Sequence, residues 1–307
     1  MRIGIDLGGT KIEGIVIDDA GEERARLRVK TPTGAYDDTV RAVADLVREL
    51  EARVGVPCSV GVGHPGALSP ATGFIKNANS THLNGHPLDQ DLRRVLGRDD
   101  IRLSNDANCF AVSEAADGAG RTRSIVFGVI LGTGVGGGIV IDGRPLLGAQ
   151  AVAGEWGHNA LPLPRDDERP GPHCYCGRRG CIETWLSGPA FQAQFTDRTG
   201  RHLIATDIAA AAEAGDRQAQ ECLELYCDRL ARALANVVNL LDPHVIVLGG
   251  GLSKMRALYH RVPELWKRLH LLRTRKHRHQ AVAAGTRRFE RRARRRLAVV
   301  GLILMSC

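Results

Sequence analysis

A short apolar run that breaks into glycines and resumes as a second apolar run occurs twice in this chain. No other feature limits the fold as much. In the first copy Arg2 to Leu7 leads into Gly8-Gly9, Ile12 to Ile17 follows, and Asp18-Asp19-Ala20-Gly21 turns. In the second copy Ser124 to Leu131 leads into Gly132-Thr133-Gly134, Gly138 to Ile141 follows, and Asp142-Gly143 turns. Apolar runs of this length joined through glycine predict β-hairpins with glycine-rich tips. A third strand near Glu23 to Lys30 would complete an antiparallel meander. The two copies share an architecture, with no strict repeat of sequence.

The segments between the hairpins alternate helix and strand. Val40, Val43, Ala44, Leu46, Val47 and Leu50 form a helical stripe within Thr39 to Val54, and short strands are expected at Ser59 to Gly63 and Ile101 to Leu103. A helix follows from Ala107 to about Ala116. Ala219 to Leu241 carries Leu223, Tyr226, Leu230, Ala233, Leu234, Val237 and Leu241 on one face and stops at Asp242-Pro243. Val245 to Leu248 is then a buried strand running into Gly249-Gly250-Gly251. Alternation of this kind predicts an α/β fold, and 307 residues suffice for two domains. The boundaries expected are 1–118, 119–267 and an atypical tail at 268–307, with a cleft between the two domains.

Composition narrows the function. The net charge of +8 invites a nucleic-acid reading, yet 11 Arg and one Lys against the single acid Glu290 lie between Arg268 and Cys307. The first 267 residues hold 30 basic against 33 acidic side chains, so no nucleic-acid partner is expected of the body. No apolar run reaches the length of a membrane span, and no signal peptide precedes the first strand, which points to the cytoplasm. Aromatic residues make up only 4% while glycines number 36, which favours backbone turns at small ligands.

Three glycine-rich loops, each directly after an apolar strand, carry most of the chemical signal. Glycine lets backbone N–H groups approach a phosphate, Thr10 and Lys11 add donors, and Asp6 at a strand end suits a hydrated Mg²⁺. The spacing of a Walker A loop is absent. Asp106, where a strand hands over to a helix, is either a general base for a substrate hydroxyl or the helix N-cap. Gly154-Glu155-Trp156-Gly157-His158 offers a carboxylate and an imidazole of the kind that bind sugar hydroxyls. Cys174, Cys176 and Cys181 crowd one polar loop with Arg178 and Arg179. With one histidine they make a Cys₃His set, the composition of a structural zinc site. Buried thiols and redox catalysis are the alternatives, and Glu183 follows the loop directly.

Taken together, Asp6-Leu7-Gly8-Gly9-Thr10-Lys11, Lys76-Asn77-Ala78-Asn79-Ser80-Thr81, Asn105-Asp106-Ala107-Asn108-Cys109, the Gly132 to Gly138 loop, Gly154 to His158, the cysteine loop and Asp242-Pro243 resemble the ROK sugar kinases, and among them bacterial fructokinases. The resemblance runs to about Arg268. It implies a two-domain actin-like (ribonuclease H-like) fold and an ATP-dependent kinase converting D-fructose to fructose 6-phosphate. N-acetylglucosamine, glucose and mannose are alternative sugars. Carried over, Asp106 is the base, and Asn79, Asn105, Glu155, His158 and Glu183 bind the sugar. His158, Cys174, Cys176 and Cys181 hold Zn²⁺. Gly4-Ile5-Asp6-Leu7-Gly8-Gly9-Thr10-Lys11 and Gly132-Thr133-Gly134-Val135-Gly136-Gly137-Gly138-Ile139 hold the phosphates of ATP·Mg²⁺, and Gly249, Gly250 and Gly251 lie near the adenosine. A homodimer is usual for such kinases. The family's sugar-responsive repressors add an N-terminal helix-turn-helix, for which the first strand at Arg2 leaves no room, and the presence of Asp106 argues against a silent sugar-binding protein.

Beyond Arg268 the resemblance is expected to fail. Arg287 to Val299 stands where the family carries Gly-Asp-Ser-Ser-Gly-Val-Arg-Gly-Ala-Ala-Trp-Leu-Trp. One choice of codons for this stretch, read one base later, spells that segment residue for residue. The expectation is a frameshift near Arg268, with a true basic arm as the rival.

Overall fold

The structure, a computed structural model, describes residues 1–267, Leu269 and 281–284. Among the described residues the chain divides into two compact units, one built on Met1–Asp117 with Gly143–Ala153, the other on Gly118–Asp142 with those from Gly154 to Ala284. Segment 143–153, placed beyond the boundary expected at 118, therefore belongs to the first unit.

In the first unit the meander is β1 (Arg2–Leu7), β2 (Lys11–Ile17) and β3 (Glu23–Lys30), followed by helix α1 (Tyr36–Val54). Helix α1 starts on Asp37 and Asp38 and ends where Gly55 turns left-handed at φ 72°, as helix electrostatics and glycine's freedom favour. Strand β4 (Ser59–His64), the short pair β5 (Ala67–Leu68) and β6 (Ile75–Lys76), helix α2 (Leu88–Leu96), strand β7 (Ile101–Asn105) and helix α3 (Asp106–Asp117) complete it. The sheet order is β3-β2-β1-β4-β7, with β1, β4 and β7 parallel. The α1 stripe predicted from its apolar spacing is buried against the isoleucines and valines of β1, β2 and β4.

The second unit opens with β8 (Ile125–Leu131) and β9 (Val135–Ile141), while the two-residue strand β10 (Arg144–Pro145) lies in segment 143–153 of the first unit. Helices α4 (Glu183–Leu186), α5 (Gly188–Thr199), α6 (Ala205–Glu213) and α7 (Arg217–Leu241) precede β11 (Val245–Gly249), α8 (Ala257–Trp266) and β12 (Ala281–Ala284). Within this unit the strand order is β9-β8-β11-β12, with β8, β11 and β12 parallel. The two sheets thus share one layout, the architecture repeated in the sequence. Strand β12 lies inside the stretch expected to be an atypical tail, and most of that tail, including Arg287 to Val299, lies outside the described residues. Among the described residues no helix is long and apolar enough to cross a membrane.

Helix α7 organises its unit. Asp216 caps it by accepting from the Ala219 amide at 3.1 Å, and Asp242 closes it left-handed. Its one polar intrusion into the core is deliberate in geometry. Arg229 and Arg232 converge on Glu168, whose side chain is 1% exposed, with Arg229 Nε and Arg232 Nη2 each donating at 2.7 Å. Arg232 also donates to the carbonyls of Pro162 and Leu163. This triad clamps residues 162–169, the approach to the cysteine loop, onto α7.

Burial alone would raise the Glu168 carboxyl; hydrogen bonds from Arg232, the Arg165 amide and Arg229 outweigh it and hold the group down at about 2. A depressed folded value contributes stability above the ordinary 4.5 and loses it as pH falls towards 2. The shift corresponds to ~3 kcal/mol. Glu168→Gln is expected to destabilise the protein by ~3–5 kcal/mol at neutral pH, because two buried guanidinium groups lose their counter-charge. Urea unfolding of both proteins from pH 7 to pH 3 checks this: the difference should shrink on the acid side, and a constant difference refutes the charge account.

Candidate active site

In the first unit the candidate residues gather at the carboxyl ends of the parallel strands β1, β4 and β7, where open α/β sheets bind ligands. Asn105 ends β7 and caps α3, its Oδ1 accepting from the amides of Ala107 at 2.9 Å and Asn108 at 3.2 Å. Its Nδ2 donates to the Gly66 carbonyl at 2.8 Å. Asp106 is therefore the first helical residue, exposed, and its Oδ1 accepts from the adjacent Ala107 amide at 2.8 Å. The N-cap alternative for Asp106 thus falls to Asn105.

Gly66, at φ 73°, packs so closely on residues 76–78 that a Cβ would lie 2.4 Å from the Lys76 carbonyl oxygen. Asn84 then grips Ala78 from both sides, accepting from its amide at 2.8 Å and donating to its carbonyl at 3.0 Å. Asn79, next along this loop, is exposed. Gly9 approaches the same loop, where an added Cβ would stand 3.4 Å from Ser80 Oγ. Asn79, Asn105, Asp106 and the first glycine turn are thus linked through Gly66, Asn84 and Ser80, three residues that the sequence did not single out for the purpose.

Within Gly4 to Lys11 the structure sorts exposed from buried residues. Gly4, Ile5 and Leu7 are buried within β1, while Asp6, Gly9, Thr10 and Lys11 are exposed. Gly8 N–H closes the turn by donating to the Lys11 carbonyl at 3.1 Å. Behind the turn Cys109 is buried, and burial, with Asp106 and Asp6 adding negative charge, pushes its thiol up to about 12. Cys109 is consequently no nucleophile.

The second unit carries the other half of the candidates. The glycine loop proves shorter than expected: Gly132, Thr133 and Gly134 make the turn, while Val135, Gly136, Gly137, Gly138 and Ile139 already lie in β9. Gly137 serves packing, since a Cβ there would meet the Trp156 ring at 2.8 Å. Trp156 is buried, donates from Nε1 to the Gly136 carbonyl at 2.9 Å, and stands edge-on to Phe127. It thereby pins the turn that bears Glu155 and His158 onto β9. The third run behaves alike. Gly249 is buried in β11, Gly251 is exposed, and Gly250, at φ 85°, would bring a Cβ within 2.3 Å of the Leu131 carbonyl oxygen.

Glu183, first residue of α4, reaches back to this turn. Its Oε2 accepts from the Val135 amide at 2.8 Å, and Gly134 leaves room for it, as a Cβ there would lie 2.6 Å from the same oxygen. The carboxylate following the cysteine loop is thus tied to the glycine turn.

Ligand atoms of His158, Cys174, Cys176 and Cys181 all lie within 4.8 Å of one another. Cys174 Sγ is 3.5 Å from His158 Nδ1, and Cys176 Sγ is 3.6 Å from Cys181 Sγ. Tetrahedral zinc, with Zn–S of ~2.3 Å and Zn–N of ~2.0–2.1 Å, spaces its ligands by ~3.5–3.8 Å. The four residues fit that ion. Hydrogen bonds from Cys174 to Arg178 hold the loop shape: the Cys174 amide donates to the Arg178 carbonyl, and the Gly177 amide to the Cys174 carbonyl. The other face of His158 is engaged too, with Nε2 3.0 Å from the Tyr175 hydroxyl.

Comparisons with known proteins agree with this layout. A family model described as the ROK family matches residues 2–290, which carries the resemblance past Arg268. The N-acetyl-D-glucosamine kinase of Pectobacterium atrosepticum is 43% identical over 267 residues, covering 86% of this chain and 88% of the relative. The crystal structure of a ROK hexokinase from Thermus thermophilus superposes with a TM-score of 0.83 at 29% identity, covering 99% of this chain and 98% of that one. A ROK glucokinase from Streptomyces griseus, solved with glucose and AMPPNP, gives a TM-score of 0.80 at 26% identity over 100% and 99% of the two chains. These neighbours share the actin-like ATPase fold implied by the sequence. The chain is a member of the ROK family and stands among its ATP-dependent sugar kinases.

Proposed function

We propose that the chain phosphorylates N-acetyl-D-glucosamine with ATP, Asp106 acting as general base. The observation that carries the chemistry is the division of labour at α3, where Asn105 caps the helix and leaves the neighbouring carboxylate exposed. Asp106 accepts the proton of a sugar hydroxyl as its oxygen attacks the γ-phosphorus and ADP departs. Such transfer asks mainly for positioning and charge neutralisation. Asn79, Asn105, Glu155, His158 and Glu183 supply hydrogen bonds to the sugar. Gly8 to Lys11 and Gly132 to Gly134 offer amides and cations to the phosphates, Gly251 lies on the adenosine side, and Asp6 would hold the Mg²⁺ that screens their charge. His158, Cys174, Cys176 and Cys181 would hold a structural zinc ion.

The choice of sugar follows the relatives at 41–43% identity, which are named for N-acetyl-D-glucosamine. That departs from the fructose reading, which rested on the local look of Asn77 to Gly85 and Gly154 to Asn159. An ADP-release assay with N-acetyl-D-glucosamine, fructose, glucose and mannose tests both readings. We expect kcat/KM on N-acetyl-D-glucosamine to exceed the others by about 10-fold or more, the scale of one sub-pocket contact. Preference for fructose would restore the fructokinase reading. A chain with residues 287–299 restored to the shifted frame belongs in the same assay; if it alone is active, the printed tail is the lesion, and silence of both refutes the kinase reading.

A further inference from the structure

His158 faces two ways. Its Nδ1 lies 3.5 Å from Cys174 Sγ, on the side of the four-ligand cluster, and its Nε2 lies 3.0 Å from the Tyr175 hydroxyl. The two rings meet edge-on, 5.1 Å apart at 90°. A metal on Nδ1 leaves the ring proton on Nε2, so Nε2–H donates to the Tyr175 oxygen. A metal-bound histidine needs an acceptor at that position. A sugar hydroxyl oxygen in the same place makes the same bond.

We propose that Tyr175 holds the place of a sugar hydroxyl on His158 Nε2 and yields it when the sugar binds, which makes Tyr175 a residue that sets sugar affinity. This rests on the reading of His158 as a sugar-binding residue. Tyr175 stands between the ligands Cys174 and Cys176, so its backbone is held by the loop, yet apart from the edge contact with His158 its side chain is largely open to solvent: the residue is 66% exposed. Tyr226 shows the contrast, buried, with its hydroxyl donating to the Leu186 carbonyl at 2.7 Å. Glu155 and Glu183, the two candidate sugar-binding carboxylates of this unit, lie close by in the chain, Glu155 three residues before His158 and Glu183 two residues after Cys181. The tyrosine therefore sits on a residue expected to bind both metal and sugar, and a bond at the hydroxyl of a largely exposed residue is cheap to exchange.

Tyr175→Phe removes the competing oxygen and keeps the ring. The full-length chain and this variant would be compared for zinc content, kcat, KM for ATP, and KM and Kd for N-acetyl-D-glucosamine, the last by calorimetry. Removing one competing hydrogen bond corresponds to a fall of about 2- to 10-fold in sugar KM and Kd, with kcat, ATP KM and zinc content unchanged. A sugar KM that stays level or rises at full zinc content overturns the inference. Loss of zinc from the variant overturns it as well, because Tyr175 then supports the metal. If the unaltered chain turns over the sugar while the variant's affinity does not move, only this inference fails. If neither the unaltered chain nor the chain with residues 287–299 restored to the shifted frame binds or phosphorylates any sugar of the panel, the proposed function fails and this inference with it.

Discussion

Asp106→Asn lowers kcat by about 10²–10⁴-fold, the usual cost of losing a general base, and leaves the unfolding midpoint essentially where it was. The second half of this expectation comes from geometry. The bonds that start α3 run to Asn105, from the amides of Ala107 and Asn108, and Asn105 is anchored in turn to Gly66. An asparagine at 106 keeps an oxygen to accept from the Ala107 amide at the present 2.8 Å, and gives up a favourable charge at a helix N-terminus, worth ~0.3–1 kcal/mol. Asn105→Ala is the informative companion. It removes the cap at a cost of ~0.5–2 kcal/mol and cuts the link to the loop bearing Asn79, so stability and sugar KM should suffer together. Steady-state kinetics with thermal unfolding separates the two variants, and near-full turnover in Asp106→Asn takes the base role away from that residue.

Removing the metal is expected to abolish most turnover without unfolding the chain. Zinc contributes ~10–16 kcal/mol to peptides that have no other core, but the second unit owns a large apolar core running from Phe127 and Val129 through Phe191 to Trp266. The loss is therefore local. Residues 174–181 lie outside any helix or strand, and without an ion the three thiols and His158 have no common partner. Glu183 follows this loop within two residues, and its bond to the Val135 amide is what ties it to the Gly132–Gly134 turn. Release of the loop moves a candidate sugar ligand and a candidate phosphate turn together. Chelation, or Cys176→Ser, should lower turnover by about 10²-fold or more, beyond the ~10–100-fold typical of disturbing a ligand's outer partners. Far-ultraviolet circular dichroism should change little, and zinc added back should restore the chelated wild-type protein. Full activity in metal-free protein would remove the ion from the account.

How much of this was legible in the sequence depends on the range of the interaction. Strands β1 to β3 and helix α1 are set by local periodicity, and the repeated hairpin appears again as the shared order of both sheets. The cysteine cluster is legible because its three thiols lie within eight residues of one another. The glycine runs misled in part. Gly137 and Gly250 look like phosphate-loop residues, yet both are glycine because another segment, at Trp156 or Leu131, approaches too closely for a Cβ. No pattern within a run distinguishes a glycine that faces a ligand from one that faces backbone distant in sequence.

The same limit divides what the chain determined alone from what required its folded form. By itself the sequence determined the α/β class, the first turn at Gly8-Gly9, the crowding of three cysteines into one loop and membership of a kinase family, since each is written in spacing along the chain. Only the tertiary structure decided that Asn105 and not Asp106 caps α3, that Glu183 grips the Val135 amide, and that Tyr175 covers the free nitrogen of His158. These are contacts between side chains and partners whose distance is fixed by packing, and packing density leaves room for one arrangement where the sequence permits several.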